Sequence, residues 1–152
     1  MVIEQIERPS WSGDIKEILS PHKEAFGFND VPDNLPLNSY QWWRIKNDAG
    51  TSLGVAYVSE CELNEFSQRE AEISICVREQ SKGAGSKLLA FLEENAKNKG
   101  FDVTAAVIKE KNQDHDNVVK WFEGKGYKIA PSSEDTVMLK KLDQRSEKHG
   151  SL

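Results

Sequence analysis

The chain has 152 residues, 38% of them hydrophobic and 30% charged, and a formal net charge of −5. These proportions suit one folded domain with a buried core rather than a disordered chain, and the acidic balance argues against broad nucleic-acid binding. Apolar runs such as "VTAAVI" (103–108) fall well short of the roughly 20 residues a membrane-spanning helix needs.

The N-terminal "MVIEQIERPS" carries acidic residues and no apolar h-region, so no signal peptide is expected. The two cysteines, Cys61 and Cys76, lie apart without CxxC spacing, which points away from a metal site or a disulfide framework. A cytoplasmic, reducing location is the expectation.

In chain order, "MVIEQIE" (1–7) alternates and reads as a first strand. Ser12 is placed to cap a short helix from Asp14, with Ile15, Ile18 and Leu19 as its apolar positions. Pro21 interrupts it, and "HKEAF" continues as a second helical piece. Residues 27–40, rich in Gly, Asn, Asp and Pro, form a loop. "QWWRIKN", "DAGT" and "SLGVAYVSE" then read as strand, turn and strand. Within the first of these strands, Trp42 and Trp43 point to opposite faces, one able to line a pocket and the other to fill the core.

"AEISICV" (71–77) alternates as a further strand. From Ser86 to Lys99, apolar positions 88, 89, 92 and 96 form a helical stripe ended by Gly100. "FDVTAAVIK" (101–109) is the near-continuous apolar run of a strand buried on both faces. Asp114 or Asp116 can cap a helix that carries Val118, Val119 and Phe122 inward and ends at Gly126. "YKIA" and "DTVMLKKL" close as two strands. Residues 1–142 therefore read as one α/β (α+β) domain around a mixed central sheet, followed by a charged, frayed tail over 143–152.

The chemistry-bearing stretch is "QSKGAG" (80–85), a glycine-rich turn between a strand and a helix. The first N–H groups of a helix lack internal partners and sit at the positive end of its dipole, so such a turn suits an anion. Lys82 and Lys87 add positive charge. A Walker A loop requires GxxxxGK[ST], but Gln80 stands where its first glycine belongs, five residues before Gly85. A dinucleotide fingerprint starting at Gly83 would put its third glycine on Leu88.

The pattern [Q/R]xxGx[G/A] after a strand matches at every fixed position, and after the long helix and the next strand a second helix ends in "FEGKGY" (122–127). On these motifs the chain resembles the GNAT superfamily of acyl-CoA-dependent N-acetyltransferases. The likeness runs over most of the chain in element order and is most specific over 71–127.

That resemblance implies acetyl-CoA as co-substrate, no metal, and a primary amine of a small molecule or protein as acceptor. Family members are often homodimers. The pyrophosphate would rest on the amides of Gln80, Ser81, Lys82, Gly83, Ala84, Gly85 and Ser86. The pantetheine arm would pair with the backbone of Ile73, Ser74 and Ile75, and the sheet would splay beyond Ile75. Asn117 is one of three polar residues, with Asn112 and His115, near the position where the family uses an Asn against pantetheine. The family's usual acid is a Tyr where this chain has Phe122. Its strand-borne bases fall here on Ala71 and Arg69, with the carboxylates Glu70 and Glu72 one residue out of phase. The acceptor pocket is expected among the aromatics of "FGFND" (26–30) and "YQWW" (40–43). A binding module that kept the loop and lost the acid is the alternative to an enzyme.

Overall fold

The computed structural model describes residues 1–78, 82–131 and 134–142. The chain divides into two compact units. The first is Met1–Ser59 with Ile73–Ala90, and the second is Glu60–Glu72 with the chain from Phe91 onward.

The first unit holds β1 (Val2–Ile6), α1 (Gly13–Leu19), a 3-10 turn at Ser20–His22, α2 (Lys23–Phe26), β2 (Gln41–Lys46) and β3 (Ser52–Cys61) as far as Ser59. It also takes the C-terminal part of β4 (Glu70–Val77) and the opening turns of α3 (Ala84–Asn98). The second holds the start of β4, the rest of α3, β5 (Val103–Ile108), α4 (His115–Gly124), β6 (Lys128–Ala130) and β7 (Thr136–Lys141). Strand neighbours run β1-β2-β3-β4-β5-β7-β6. The β4/β5 pair is parallel, whereas β1/β2, β2/β3, β5/β7 and β6/β7 are antiparallel, so the sheet is mixed as expected.

In the first unit, Pro21 sits at the start of the 3-10 turn and separates the two helical pieces, as a residue without an N–H must. Ser12 occupies the N-cap position of α1, but its hydroxyl pairs with Ser10 Oγ at 2.6 Å instead of capping the helix. Trp11, Phe28, Trp42 and Tyr57 form an aromatic cluster, with ring centroids 4.5 Å apart for Trp42–Tyr57 and 5.3 Å for Trp11–Phe28. Such pairs contribute about 0.5–1.5 kcal/mol each beyond the area they bury. Trp42 and Trp43 are both buried, because each face of β2 is covered. Trp42 also donates its indole N–H to the Leu37 carbonyl.

In the second unit, Leu92, Ala96 and Phe101 are buried, and α4 packs on β5 and β7. Two helices end in the same way. Gly100 (φ 85°) donates to Lys97 while Phe101 donates to Ala96, and Gly126 (φ 95°) donates to Glu123 while Tyr127 donates to Phe122. In each case a left-handed glycine closes the last turn and satisfies two terminal carbonyls. The "GKGY" stretch is therefore a helix stop. Asp114 stands at the N-cap of α4 without a side-chain cap bond.

Thr104 is fully buried on β5, which would be costly for an unpaired hydroxyl. It bonds the Tyr127 hydroxyl at 2.7 Å, Tyr127 donates to Glu93 at 2.8 Å, and Lys140 donates to the other Glu93 oxygen at 3.1 Å. Strand β5 is buried along its length except at Val107, which is 38% exposed. No helix among the described residues is long and apolar enough to cross a membrane.

Candidate functional site

The β4 strand carries the expected site residues Glu70, Glu72, Ile73, Ser74 and Ile75, and its two ends fall in different units. In the second unit, its parallel register with β5 covers Glu70↔Val103, Ala71↔Thr104 and Glu72↔Ala105. Among the described residues that register ends at Glu72, three residues before the expected splay point at Ile75. Ala71 is fully buried, while Glu70 and Glu72 lie on the opposite face and are half-buried. Period-two alternation therefore keeps the two carboxylates together on one face.

Asn64 Nδ2 donates to Glu70 at 2.9 Å. Burial pushes the Glu72 carboxyl above its ordinary value, and the neighbouring Glu70 charge adds to the shift. The positions where the family's bases would fall cannot serve here. Ala71 has no proton acceptor, and Arg69 pairs with Glu62, stacks on Phe101 at 4.5 Å and donates to the Lys99 and Gly100 carbonyls.

In the first unit, β4 continues with Ile73 buried, Ser74 and Ile75 half-buried, and Cys76 buried against the Ile18 carbonyl. Burial pushes the Cys76 thiol up to about 12, which removes it as a nucleophile. Gly54 on β3 lies against this stretch, and a Cβ there would stand 2.7 Å from Val77 Cγ1 and 2.9 Å from the Cys76 carbonyl oxygen.

Arg78 was not picked out from the sequence, yet it anchors the strand's exit. Its N–H bonds the Leu53 carbonyl, its Nε the Ser52 carbonyl, and its Nη2 the Glu17 carboxylate at 2.7 Å.

Of the expected pyrophosphate residues, Gln80 and Ser81 lie outside the described residues. Lys82 and Gly83 form an exposed turn, with Gly83 at φ 81° and open space where a Cβ would go. Ala84, Gly85 and Ser86 are already the first turn of α3, so the loop is shorter and the helix starts earlier than the stripe from Ser86 suggested. The Lys87 N–H bonds the Gly83 carbonyl at 3.1 Å. Ala84 is fully buried and pins this end, while Lys82 and Lys87 are exposed.

Around the start of α4, Asn117 is exposed, and Asn112 accepts from the Asp114 N–H. His115 sits between Asp116 at 3.0 Å and Thr136 Oγ1 at 2.7 Å. Phe122 is buried and packs edge-on against Tyr127, with centroids 5.1 Å apart. Burial pushes the Tyr127 hydroxyl well above the ordinary tyrosine range, and that hydroxyl is engaged with Thr104 and Glu93.

The aromatics expected to line an acceptor pocket are largely core, Phe28, Trp42 and Trp43 all being buried. Tyr40 and Trp42 do border a cavity of about 270 Å³. A cavity of about 490 Å³ lies wholly within the second unit, bounded by Asn64, Phe66, Glu70, Val107, Val137 and Leu139 among others. Nothing in the sequence marked Asn64, Val107 or Val137 for a site, because the strands that bring them together are distant along the chain. Among the described residues, no group of three His, Cys, Asp or Glu side chains is arranged to hold a metal ion.

No family model and no curated protein matches the sequence. The likeness is structural. A GNAT family acetyltransferase from Elizabethkingia anophelis with acetyl-CoA bound superposes at a TM-score of 0.69 and 15% identity, over 93% of this chain and 97% of that one. An IAA acetyltransferase from Bacillus cereus gives 0.66 and 20%, over 93% and 99%. The chain has the GNAT fold. A GNAT superfamily phosphinothricin acetyltransferase from Sinorhizobium meliloti, in complex with AcCoA, gives 0.56 and 19%, over 87% and 71%. The turn at Lys82–Gly83 leads directly into α3.

Proposed function

We propose that the protein is an N-acetyltransferase that moves an acetyl group from acetyl-CoA to a primary amine. The observation that carries this reading is Gly83 at positive φ in the turn that opens α3, in a chain with the GNAT fold. A left-handed glycine there turns the chain into α3, whose first turn carries the positive end of the helix dipole. The pyrophosphate would rest on the turn and on Ala84, Gly85 and Ser86, with Lys82, Lys87 and the helix dipole balancing its charge. Gln80 and Ser81 complete the motif by sequence. Pantetheine would lie along the Ile73–Ile75 backbone as an added strand.

Glu72 is the base in this scheme. It sits where β4 leaves β5, and its raised affinity for protons suits a group that must take one from an ammonium ion. Glu70 faces the same way and is held by Asn64. The neutral amine attacks the thioester carbonyl, a C–N bond forms and the C–S bond breaks. Glu72 takes one proton from the entering ammonium, the second N–H proton, released after attack, passes through water to the departing thiolate, and a backbone N–H of β4 stabilises the oxyanion. The departing thiolate takes its proton from water, which a thiol with a pKa of about 8.5 permits without a tyrosine.

A thiol-release assay with acetyl-CoA and a panel of amines tests this, alongside acetyl-CoA binding to Gly83→Glu. Turnover with at least one amine and loss of binding in the variant are expected, and unchanged affinity in the variant would sink the loop assignment. Binding without turnover is the second reading, favoured by Phe122 and by a Tyr127 hydroxyl already engaged with Thr104 and Glu93. A raised Tm with acetyl-CoA but no turnover with any amine would select it. We also place the protein in a reducing cytoplasm, where Cys61 and Cys76 stay as free thiols.

A further inference from the structure

We propose that the cavity of about 490 Å³ in the second unit is the acceptor site, and that it selects small primary amines with a single charge and an apolar body. The proposal rests on the acetyltransferase reading and names the substrate class for it.

The floor comes from three strands in register. Val107 on β5 stands opposite Val137 on β7, Val137 stands opposite Ala130 on β6, and Leu139 lies two residues along β7 on the same face. Val107 is the exposed position in an otherwise buried strand, as a residue that floors a cavity would be.

One wall is Phe66, 54% exposed on the loop between β3 and β4. That loop is built rather than loose. Asn64 Oδ1 accepts from the Phe66 N–H at 2.8 Å and from the Gln68 N–H at 3.0 Å, and Ser67 takes a left-handed φ of 59°. The same Asn64 donates through Nδ2 to Glu70, so one side chain positions both the aromatic wall and the carboxylate.

Among the described residues, the lining includes two carboxylates, Glu65 and Glu70, and no Lys or Arg. A cationic head is therefore drawn to the β4 side. Glu72 is the next residue on that face, about 7 Å further along the strand. The head group enters beside Glu70, and Glu72, which lies outside the lining, takes its proton through bridging water.

Size and polarity decide the rest. About 490 Å³ is in the range of small-molecule sites. An aliphatic floor offers no partners to the hydroxyls of an aminoglycoside or the inner amines of a polyamine. Each polar group laid against that floor without a partner would weaken binding. An aliphatic or aromatic monoamine meets no such penalty.

The test compares 2-phenylethylamine and n-hexylamine with spermidine, kanamycin and a lysine-containing peptide in the thiol-release assay. The monoamines are expected to show at least tenfold higher kcat/KM. Val137→Trp, which fills the cavity, and Val107→Asp, which charges its floor at an exposed position, should each raise KM for 2-phenylethylamine at least tenfold. Their acetyl-CoA affinity should stay within twofold of the parent, which also reports that they fold. Preference for spermidine, kanamycin or the peptide would overturn the assignment, as would an unchanged KM in both folded variants. Amine binding is also read without acetyl-CoA, from backbone NMR shifts at Val107 and Val137 on titration with 2-phenylethylamine. Shifts there in a protein that fails to bind acetyl-CoA would defeat the acetyltransferase reading and leave the amine site standing. Shifts confined to other residues would defeat the site itself.

Discussion

Replacing Gly54 by alanine puts a methyl group where β3 and β4 leave no room. The new Cβ would stand 2.7 Å from Val77 Cγ1, 3.3 Å from Val77 Cα and 2.9 Å from the Cys76 carbonyl oxygen. Carbon atoms prefer about 3.5–4.0 Å, so two of the three neighbours are backbone atoms that must shift rather than rotate away. Overpacking of this kind costs about 1–3 kcal/mol. Against it, Gly→Ala restricts the unfolded chain and returns about 0.4–1 kcal/mol. The net expectation is a loss of about 1–2 kcal/mol, or a Tm lower by about 2–8 °C for a chain of this size. Urea and thermal unfolding read the stability directly. Because the displaced backbone adjoins Ile75, the KM for acetyl-CoA should rise as well. An unchanged or higher unfolding midpoint would show that β4 yields freely at this point and would refute the argument.

Glu72→Gln should lower kcat/KM by about 10²-fold or more, the range lost with a general base. The same variant should be more stable than the parent at pH 7. A raised folded-state pKa favours the protonated form, so the parent's stability falls as pH climbs from the unfolded value through the folded one. The advantage of the variant should vanish below about pH 4, near the unfolded carboxyl pKa, and thermal melts at the two pH values check it. Gly126→Ala places a side chain at φ 95° and should cost about 1–2 kcal/mol, measured by urea unfolding. Of the two thiols, exposed Cys61 should react promptly with a thiol reagent at pH 8, while Cys76 should react only on unfolding. Two fast thiols in the native protein would contradict its burial.

Local patterns reached far into this fold because they depend on neighbours a few residues apart. Leu88, Leu89, Leu92 and Ala96 repeat at helical spacing and are all buried. Gly100 and Gly126 end helices because only a residue at ease with positive φ can close that last turn. Pro21 broke the first helix where a missing N–H must. Alternation also kept Glu70 and Glu72 off the Ala71 face.

What alternation could not say was what lies opposite each face. Trp43 was buried along with Trp42, a fact that alternation along β2 does not carry. Ser12 found Ser10 in place of its own helix, since a hydroxyl takes whichever partner the folded chain presents. The cavity behind Glu70 is assembled from segments up to 75 residues apart, Asn64 at one end and Leu139 at the other. The sequence by itself determined the helices, the strands and the glycine turn, which are short-range matters of period and backbone freedom. Tertiary structure decided the carboxylates' surroundings, the exposure of Val107 and the engagement of Tyr127, because burial and partner choice belong to residues that meet only when the chain has folded.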